Sequence, residues 1–198
     1  VYKRQVQTRD NVNLLSVIFL TFVFNIFALP FIALISLLLI EKFNPNELYI
    51  GMFTSLEGIG ALLGGTAITV IVINKKLISF IAFLGIILLC IFLSASSNSI
   101  YMYSLSILIF GMATACYSAL QSTIIYLNST PELRSSTFSL LTIAIGCGAL
   151  GSLNIYLMST FFTTEEISNI MAIEGLLVGL FFIIVASVRF PIYKFFEK

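Results

Sequence analysis

Two carboxylates lie inside apolar segments of this sequence, where an ionisable side chain is costly unless it faces a cavity or a partner. Glu57 is eight residues beyond Tyr49, about 12 Å along a helix at ~1.5 Å per residue. Its helical face carries only small or polar neighbours: Thr54, Gly60, Ala61 and Gly64. That face fits a bundle interior, where the carboxyl could exchange a proton, bind a substrate or form a structural hydrogen bond. Glu174, with apolar neighbours at helical spacing, is a secondary candidate for which a structural role is favoured.

Uncharged polar residues in two other apolar segments could also line an aqueous pathway. Asn25 lies five residues before Pro30, which removes a backbone hydrogen bond and favours a kink that shapes a cavity. Thr114, Tyr117, Ser118 and Gln121 share one helical face. We expect Asn25, Tyr117 and Gln121 to line the substrate or proton pathway. Interhelical hydrogen bonding is the alternative for each residue.

The residue inventory argues against catalysis, cofactors and metals. The chain has no His, and Asp10 is its only Asp, so a Ser–His pair, a His-ligated zinc site and an aspartate dyad are all excluded. Gly146–Gly151 matches a dinucleotide motif literally, but it lies in an apolar helix where glycines serve helix packing. Cys90, Cys116 and Cys147 lie in apolar segments and do not suggest disulfides. A net charge of +1 gives no reason to expect nucleic acid.

The elements that must position these residues are long apolar helices. Hydrophobic residues make up 59% of the chain and charged residues 10%, far from soluble usage. Each apolar run is long enough to cross a hydrocarbon core of ~30 Å as a helix. The sequence therefore predicts an all-α membrane protein whose 14–188 bundle has spans at 14–40, 48–73, 77–95, 100–127, 137–162 and 170–188.

The positive charges alternate along the chain in step with these spans. Nine of the ten Lys and Arg residues fall on one side of the predicted membrane, and Lys42 alone falls on the other. The positive-inside rule therefore predicts that both termini are cytoplasmic. Residues 1–13 are expected to be a connecting segment from a longer protein, and residues 189–198 a cytoplasmic tail. A bacterial cytoplasmic membrane is the expected location.

A short sequence pattern recurs in the second and fifth predicted spans. Gly-x-Gly-Ala-Leu occurs at Gly58–Leu62 and again at Gly146–Leu150, in helices expected to run in opposite directions. This favours two inverted three-helix repeats, an arrangement common in secondary transporters. The glycines expected to support helix packing are Gly58, Gly60, Gly64, Gly146, Gly148 and Gly151.

Several of these segments together resemble the major facilitator superfamily. Phe22–Asn25 with Pro30, Tyr49–Gly51 and Gly58–Gly64 are similar to that family's helices seven and eight. Its helices ten and eleven are similar to Gln121-Ser122, Pro131–Arg134 and Gly146–Gly151. Within that family, the chain most resembles bacterial exporters of drugs and siderophores.

The resemblance implies the C-terminal half of a twelve-helix transporter that works by alternating access, driven by protons. The partners it implies are the N-terminal six-helix half, a small amphipathic substrate, protons and the lipid bilayer. In such a family helices seven, eight, ten and eleven line the cavity, which favours Asn25, Glu57, Tyr117 and Gln121 over Glu174. Two alternatives stay open: a gradient-driven uptake permease, and a six-helix subunit of a larger transport complex.

Overall fold

The computed structural model describes residues 11–189. Over that range the chain is helical and contains six helices long and apolar enough to cross a membrane. The first span consists of two helices joined by a π-helical turn at Phe24–Ala28, and the fifth is interrupted at Cys147. The helices are α1 (Val12–Val23), α2 (Phe31–Phe43), α3 (Glu47–Val70), α4 (Lys76–Ser96), α5 (Ile100–Asn128), α6 (Pro131–Gly146), α7 (Gly148–Met158) and α8 (Thr164–Arg189).

The spans predicted from hydropathy are confirmed in number but shifted at their ends. The second span ends at Val70 rather than at residue 73, because the β-branched run Thr69–Ile73 has low helix propensity. The fifth begins at Pro131 rather than at 137, since proline suits the first helical position and extends the helix beyond the apolar run. The predicted terminal segments, 1–13 and 189–198, lie outside the described residues except for 11–13 and 189. The basic residues of these segments that are not described are Lys3, Arg4, Arg9, Lys194 and Lys198.

The sixth span begins six residues before the predicted position, at Thr164. A reciprocal capping box fixes this start. The Thr163 N–H donates to Glu166 Oε2 at 2.9 Å, and the Glu166 N–H donates to Thr163 Oγ1 at 3.3 Å. Two of the free backbone donors of the first turn are thereby satisfied. Polar first turns of this kind carry no hydropathy signal, which is why the apolar run alone placed the start too late.

The centre of the bundle is formed by the first, third and fourth spans. Phe31 of α2 contacts Phe110 of α5 edge-on, with ring centroids 5.5 Å apart. Nearby, the buried Tyr103 hydroxyl donates to the Ile35 carbonyl oxygen at 2.6 Å. In contrast, only 11% of the most apolar window of the second span and 17% of that of the fifth are buried. These two spans therefore lie at the edge of the bundle and present large uncovered faces.

The second and fourth spans approach each other closely through glycines. A Cβ added at Gly60 would collide with the Leu108 carbonyl oxygen, and one added at Gly64 would collide with the Met112 backbone. From the opposite helix, Gly111 lies against the Glu57 carbonyl in the same way. Small residues allow this approach, so that dispersion and weak Cα–H···O contacts hold the two helices together.

Lys42, the exception in the charge pattern, belongs to a cluster that joins three helix ends. Its ammonium pairs with Glu165 at 3.0 Å and also donates to the Ala95 carbonyl oxygen at the end of α4. Beside it, Thr164 Oγ1 donates to Glu41 at 2.8 Å. The Lys42 side chain is only 9% exposed. Its ion pair and hydrogen bond therefore explain why a lysine occurs here, on the side of the predicted membrane opposite to the other nine basic residues.

Candidate functional site

A buried polar cluster lies where the first span passes the fourth. Gln121 Nε2 donates to Thr21 Oγ1 at 2.5 Å, and Asn25 Nδ2 donates to the Thr21 carbonyl oxygen at 2.8 Å. Exposure is 0% for Thr21, 3% for Asn25, 0% for Tyr117 and 7% for Gln121. The structure thus brings together three of the predicted pathway residues, and it adds Thr21 as the residue that links Asn25 to Gln121.

Tyr117 is enclosed between aromatic rings in this cluster. Its ring stacks on Phe24 at 4.8 Å and on Phe80 at 4.2 Å between centroids. Its hydroxyl lies beside Thr21 but forms no well-aligned hydrogen bond with any residue of the described range. A substrate could reach Tyr117 only after the first and third spans moved away from it.

The polar face predicted for the fourth span is divided in the structure. Tyr117 and Gln121 are buried against the first span, whereas Ser118 is exposed. Thr114 is half-buried, and its hydroxyl has no hydrogen-bond partner among residues 11–189. The expected single stripe is wrong in this respect, because the first span covers only one side of it.

The first span is interrupted beside this cluster. The Leu29 N–H donates to the Phe24 carbonyl at 2.9 Å, five residues back rather than four. Pro30 follows and has no N–H, so the Ile26 carbonyl loses its α-helical donor. Proline and π-bulges are the usual causes of helix kinks, and π-bulges occur often at functional sites. The predicted distortion at Pro30 is therefore present, and it places Asn25 inside the π-helical turn.

The fifth span is interrupted at the same level and packs against that turn. The Leu150 N–H donates to the Cys147 carbonyl three residues back, at 2.9 Å. A Cβ added at Gly151 would collide with the Ile26 carbonyl oxygen and with the Pro30 ring. One added at Gly148 would lie 3.7 Å from Asn25 Oδ1. The two breaks are therefore in direct contact, and glycines bring α7 against backbone carbonyls that α-helical bonding leaves free.

A groove lies beside the contact between the two interrupted spans. One wall comes from the end of the π-helical turn and the start of α2, and the other from the first turns of α7. The lining residues are Leu29, Pro30, Ile32, Ala33, Gly148 and Ser152. The groove lies next to the buried polar cluster, because its lining residue Gly148 is close to the Asn25 side chain.

Not all of the predicted packing glycines pack. Gly60, Gly64, Gly148 and Gly151 contact another span, but a Cβ added at Gly58 or Gly146 would meet nothing within 4 Å. Both residues are exposed within the described range. Within the described residues these two glycines pack against no other span, because they lie on the opposite side of their helices from the glycines that do.

Glu57 lies outside the polar cluster, on the face of the second span that meets the fourth. It is half-buried, and its carbonyl faces Gly111, six residues before Tyr117. Its carboxylate forms no hydrogen bond or ion pair with any described residue. Glu174 is exposed on α8 and equally without a partner in residues 11–189.

The uncovered faces of the spans differ in chemistry. The sixth span exposes large apolar residues such as Ile173, Leu177 and Phe181, which suit lipid. The second and fifth spans each expose one stripe rich in small and polar residues at helical spacing. These stripes consist of Gly51, Ser55, Gly58, Leu62, Thr66 and Thr69 on α3, and of Ser135, Ser139, Thr142, Gly146 and Ala149 on α6 and α7.

The fold defines a class, a six-span helical membrane protein, in which two interrupted spans cross beside buried polar residues. No protein-family model matches the chain, and neither does any curated protein or any solved structure. The superfamily resemblance accordingly stays a prediction from the sequence.

Proposed function

We propose that this chain is the C-terminal half of a proton-coupled secondary transporter of the major facilitator type, which exports small amphipathic molecules by alternating access. The observation that carries the proposal is the contact between the two interrupted spans, at Asn25 and Gly151. Interrupted helices at a binding site are a recurring feature of secondary transporters. A bundle with only a structural role gains nothing from breaking two spans at one level, because each break leaves backbone groups unpaired inside the membrane.

The packing pattern supports the inverted repeat that we propose for this half. The glycine face of the second span packs on the fourth span, and the glycine face of the fifth packs on the first. If the first, second and third spans correspond to the fourth, fifth and sixth, the contact between the second and fourth spans corresponds to the contact between the fifth and first. The fourth span has no break to match the π-helical turn of the first, so the repeats would differ at the site itself.

The uncovered small and polar stripes support a second bundle as partner. The hydroxyls of these stripes donate to carbonyls of their own helices, as Ser55, Thr66, Ser139 and Thr142 do. Their support for a partner lies in their size, because small side chains let a facing helix approach closely. We assign these stripes, apart from Thr69 at the end of α3, to the interface with the N-terminal six-helix half of the same protein, around a shared cavity. Both termini would be cytoplasmic, in a bacterial cytoplasmic membrane.

Glu57 is the residue that we propose for proton coupling. It is half-buried within a span and makes no ion pair or hydrogen bond with the described residues, so no described side chain holds its carboxylate in place. A carboxyl that alternates between an aqueous and a dry setting takes up and releases a proton. Glu174 is exposed on the sixth span among large apolar residues such as Ile173 and Leu177, so we do not assign it this role.

Transport by proteoliposomes tests this proposal. The full-length protein would be reconstituted with a panel of fluorescent amphipathic dyes, ethidium among them, and a proton gradient imposed. We expect Glu57→Gln to abolish gradient-driven dye movement while dye exchange without a gradient persists. Glu174→Gln is the matched control and should transport normally. Gradient-driven movement that Glu57→Gln leaves unchanged would refute the coupling role, and vesicles of opposite orientation separate export from uptake.

A further inference from the structure

The connection between the second and third spans is apolar and exposed. After α3 ends, the chain becomes extended at Ile71, with φ −85° and ψ 121°. Val70 is 82% exposed, Ile71 62% and Val72 85%. Apolar residues of this kind at the end of a span belong at the boundary between lipid headgroups and acyl chains rather than in water.

A groove beside this connection combines apolar walls with one positive charge. It is lined by Ile68, Thr69, Ile71, Ile73, Lys76, Ala119, Leu120 and Thr123, from the end of α3, the start of α4 and the last third of α5. The two threonine hydroxyls already donate to carbonyls of their own helices. Lys76 is therefore the one charged group of this lining, and its ammonium has no hydrogen bond or ion pair with a described residue.

We propose that this groove binds an anionic glycerophospholipid. The phosphate would lie on the Lys76 ammonium, and an acyl chain would lie along Ile68, Ile71 and Leu120. Basic pockets between helices at a membrane boundary bind anionic headgroups in this way. A soluble anion would leave the apolar walls unused, and a zwitterionic lipid would bring a second positive charge towards Lys76. The inference does not depend on the transport function.

Lipid binding by the purified full-length protein tests the proposal. Native mass spectrometry would compare phosphatidylglycerol with phosphatidylcholine of the same acyl chains, and with inorganic phosphate. We expect phosphatidylglycerol to bind about fivefold more tightly than phosphatidylcholine, as one lysine contact predicts. Lys76→Gln should remove this preference. Lys198→Gln, which deletes the same charge from the C-terminal tail, should keep it.

A second variant tests the apolar wall without changing charge. Ala119→Phe places a large side chain from α5 in the groove and leaves Lys76 and the net charge unchanged. It should weaken the binding of both lipids. Equal binding of the two lipids by the wild-type protein would overturn the proposal. So would a preference for phosphatidylglycerol that survives Lys76→Gln, lipid binding that Ala119→Phe leaves unchanged, or inorganic phosphate that competes with phosphatidylglycerol at equal concentration.

Discussion

Thr21 shows how a single hydroxyl can organise a buried site. Its side chain accepts from Gln121 and its carbonyl accepts from Asn25, so two residues almost a hundred positions apart meet on it. The sequence placed Asn25, Tyr117 and Gln121 on inward faces because polar residues in apolar helices avoid lipid. It also places Thr21 on the same helical face as Asn25, four residues away, but the contact between Thr21 and Gln121 could not be predicted because it depends on how the first and fourth spans are rotated against each other.

The hydrogen bond between Gln121 and Thr21 leads to a stability prediction. Gln121→Leu keeps the side-chain volume but removes the donor, and we expect it to lower the unfolding free energy by about 1 kcal/mol, as for other interhelical hydrogen bonds in membranes. Ser122→Leu, on the adjacent exposed face, is the control and should change it by less than about 0.5 kcal/mol. Unfolding in bicelles measures both variants. Equal effects would show that the hydrogen bond contributes nothing.

At the scale of elements, the second and fifth spans each carry a glycine that packs closely and a glycine that does not. We expect Gly60→Ala and Gly151→Ala to destabilise the protein by about 1–3 kcal/mol, because the new methyl group would collide with backbone carbonyls that cannot move aside. A Cβ added at Gly58 or Gly146 meets no atom of this bundle within 4 Å, so Gly58→Ala and Gly146→Ala should leave the packing of the six spans intact and change stability by less than about 0.5 kcal/mol. Thermal unfolding in detergent compares the four variants. The account would be contradicted if the two pairs behaved alike.

Pro30 gives a second prediction at this scale. Pro30→Ala restores a backbone N–H that can bond to the Ile26 carbonyl, so the first span can continue as a regular α-helix. We expect stability to be maintained or raised while transport falls severely, because the groove beside α7 depends on the break. Pro45→Ala, in the connection after α2, should affect neither property. Transport assays and thermal unfolding on the same preparations measure both, and full activity in Pro30→Ala would refute a role for the break.

Element ends and element interruptions were the least predictable part of the fold. Hydropathy located six spans because apolar length alone is needed to cross a bilayer. The break at Cys147 could not be predicted, since it involves no proline and depends on the packing of Gly148 and Gly151 against the first span. Lys42 likewise acquired its explanation only when Glu165 and the end of α4 were seen beside it.

For the whole molecule, the uneven chemistry of the uncovered faces is the main result. The sixth span exposes mainly large apolar residues, whereas the second and fifth spans mix exposed residues such as Leu62 and Ile143 with small ones such as Ser55 and Ser139. The same two spans carry Glu57 and the break at Cys147. The proposed cavity therefore lies on the side of the bundle that lipid suits least, with the apolar sixth span on another.

Alternating access is tested most directly by following accessibility in the groove between α2 and α7. Ser152→Cys places a thiol in the lining, in full-length protein whose native cysteines, Cys90, Cys116 and Cys147 among them, have been replaced. Membrane-impermeant thiol reagents would be applied from each side, with and without a proton gradient. We predict that the gradient changes the labelling rate in opposite directions on the two sides, and that Glu57→Gln abolishes the change. Labelling from one side only, at a rate that neither gradient nor substrate alters, would contradict the account.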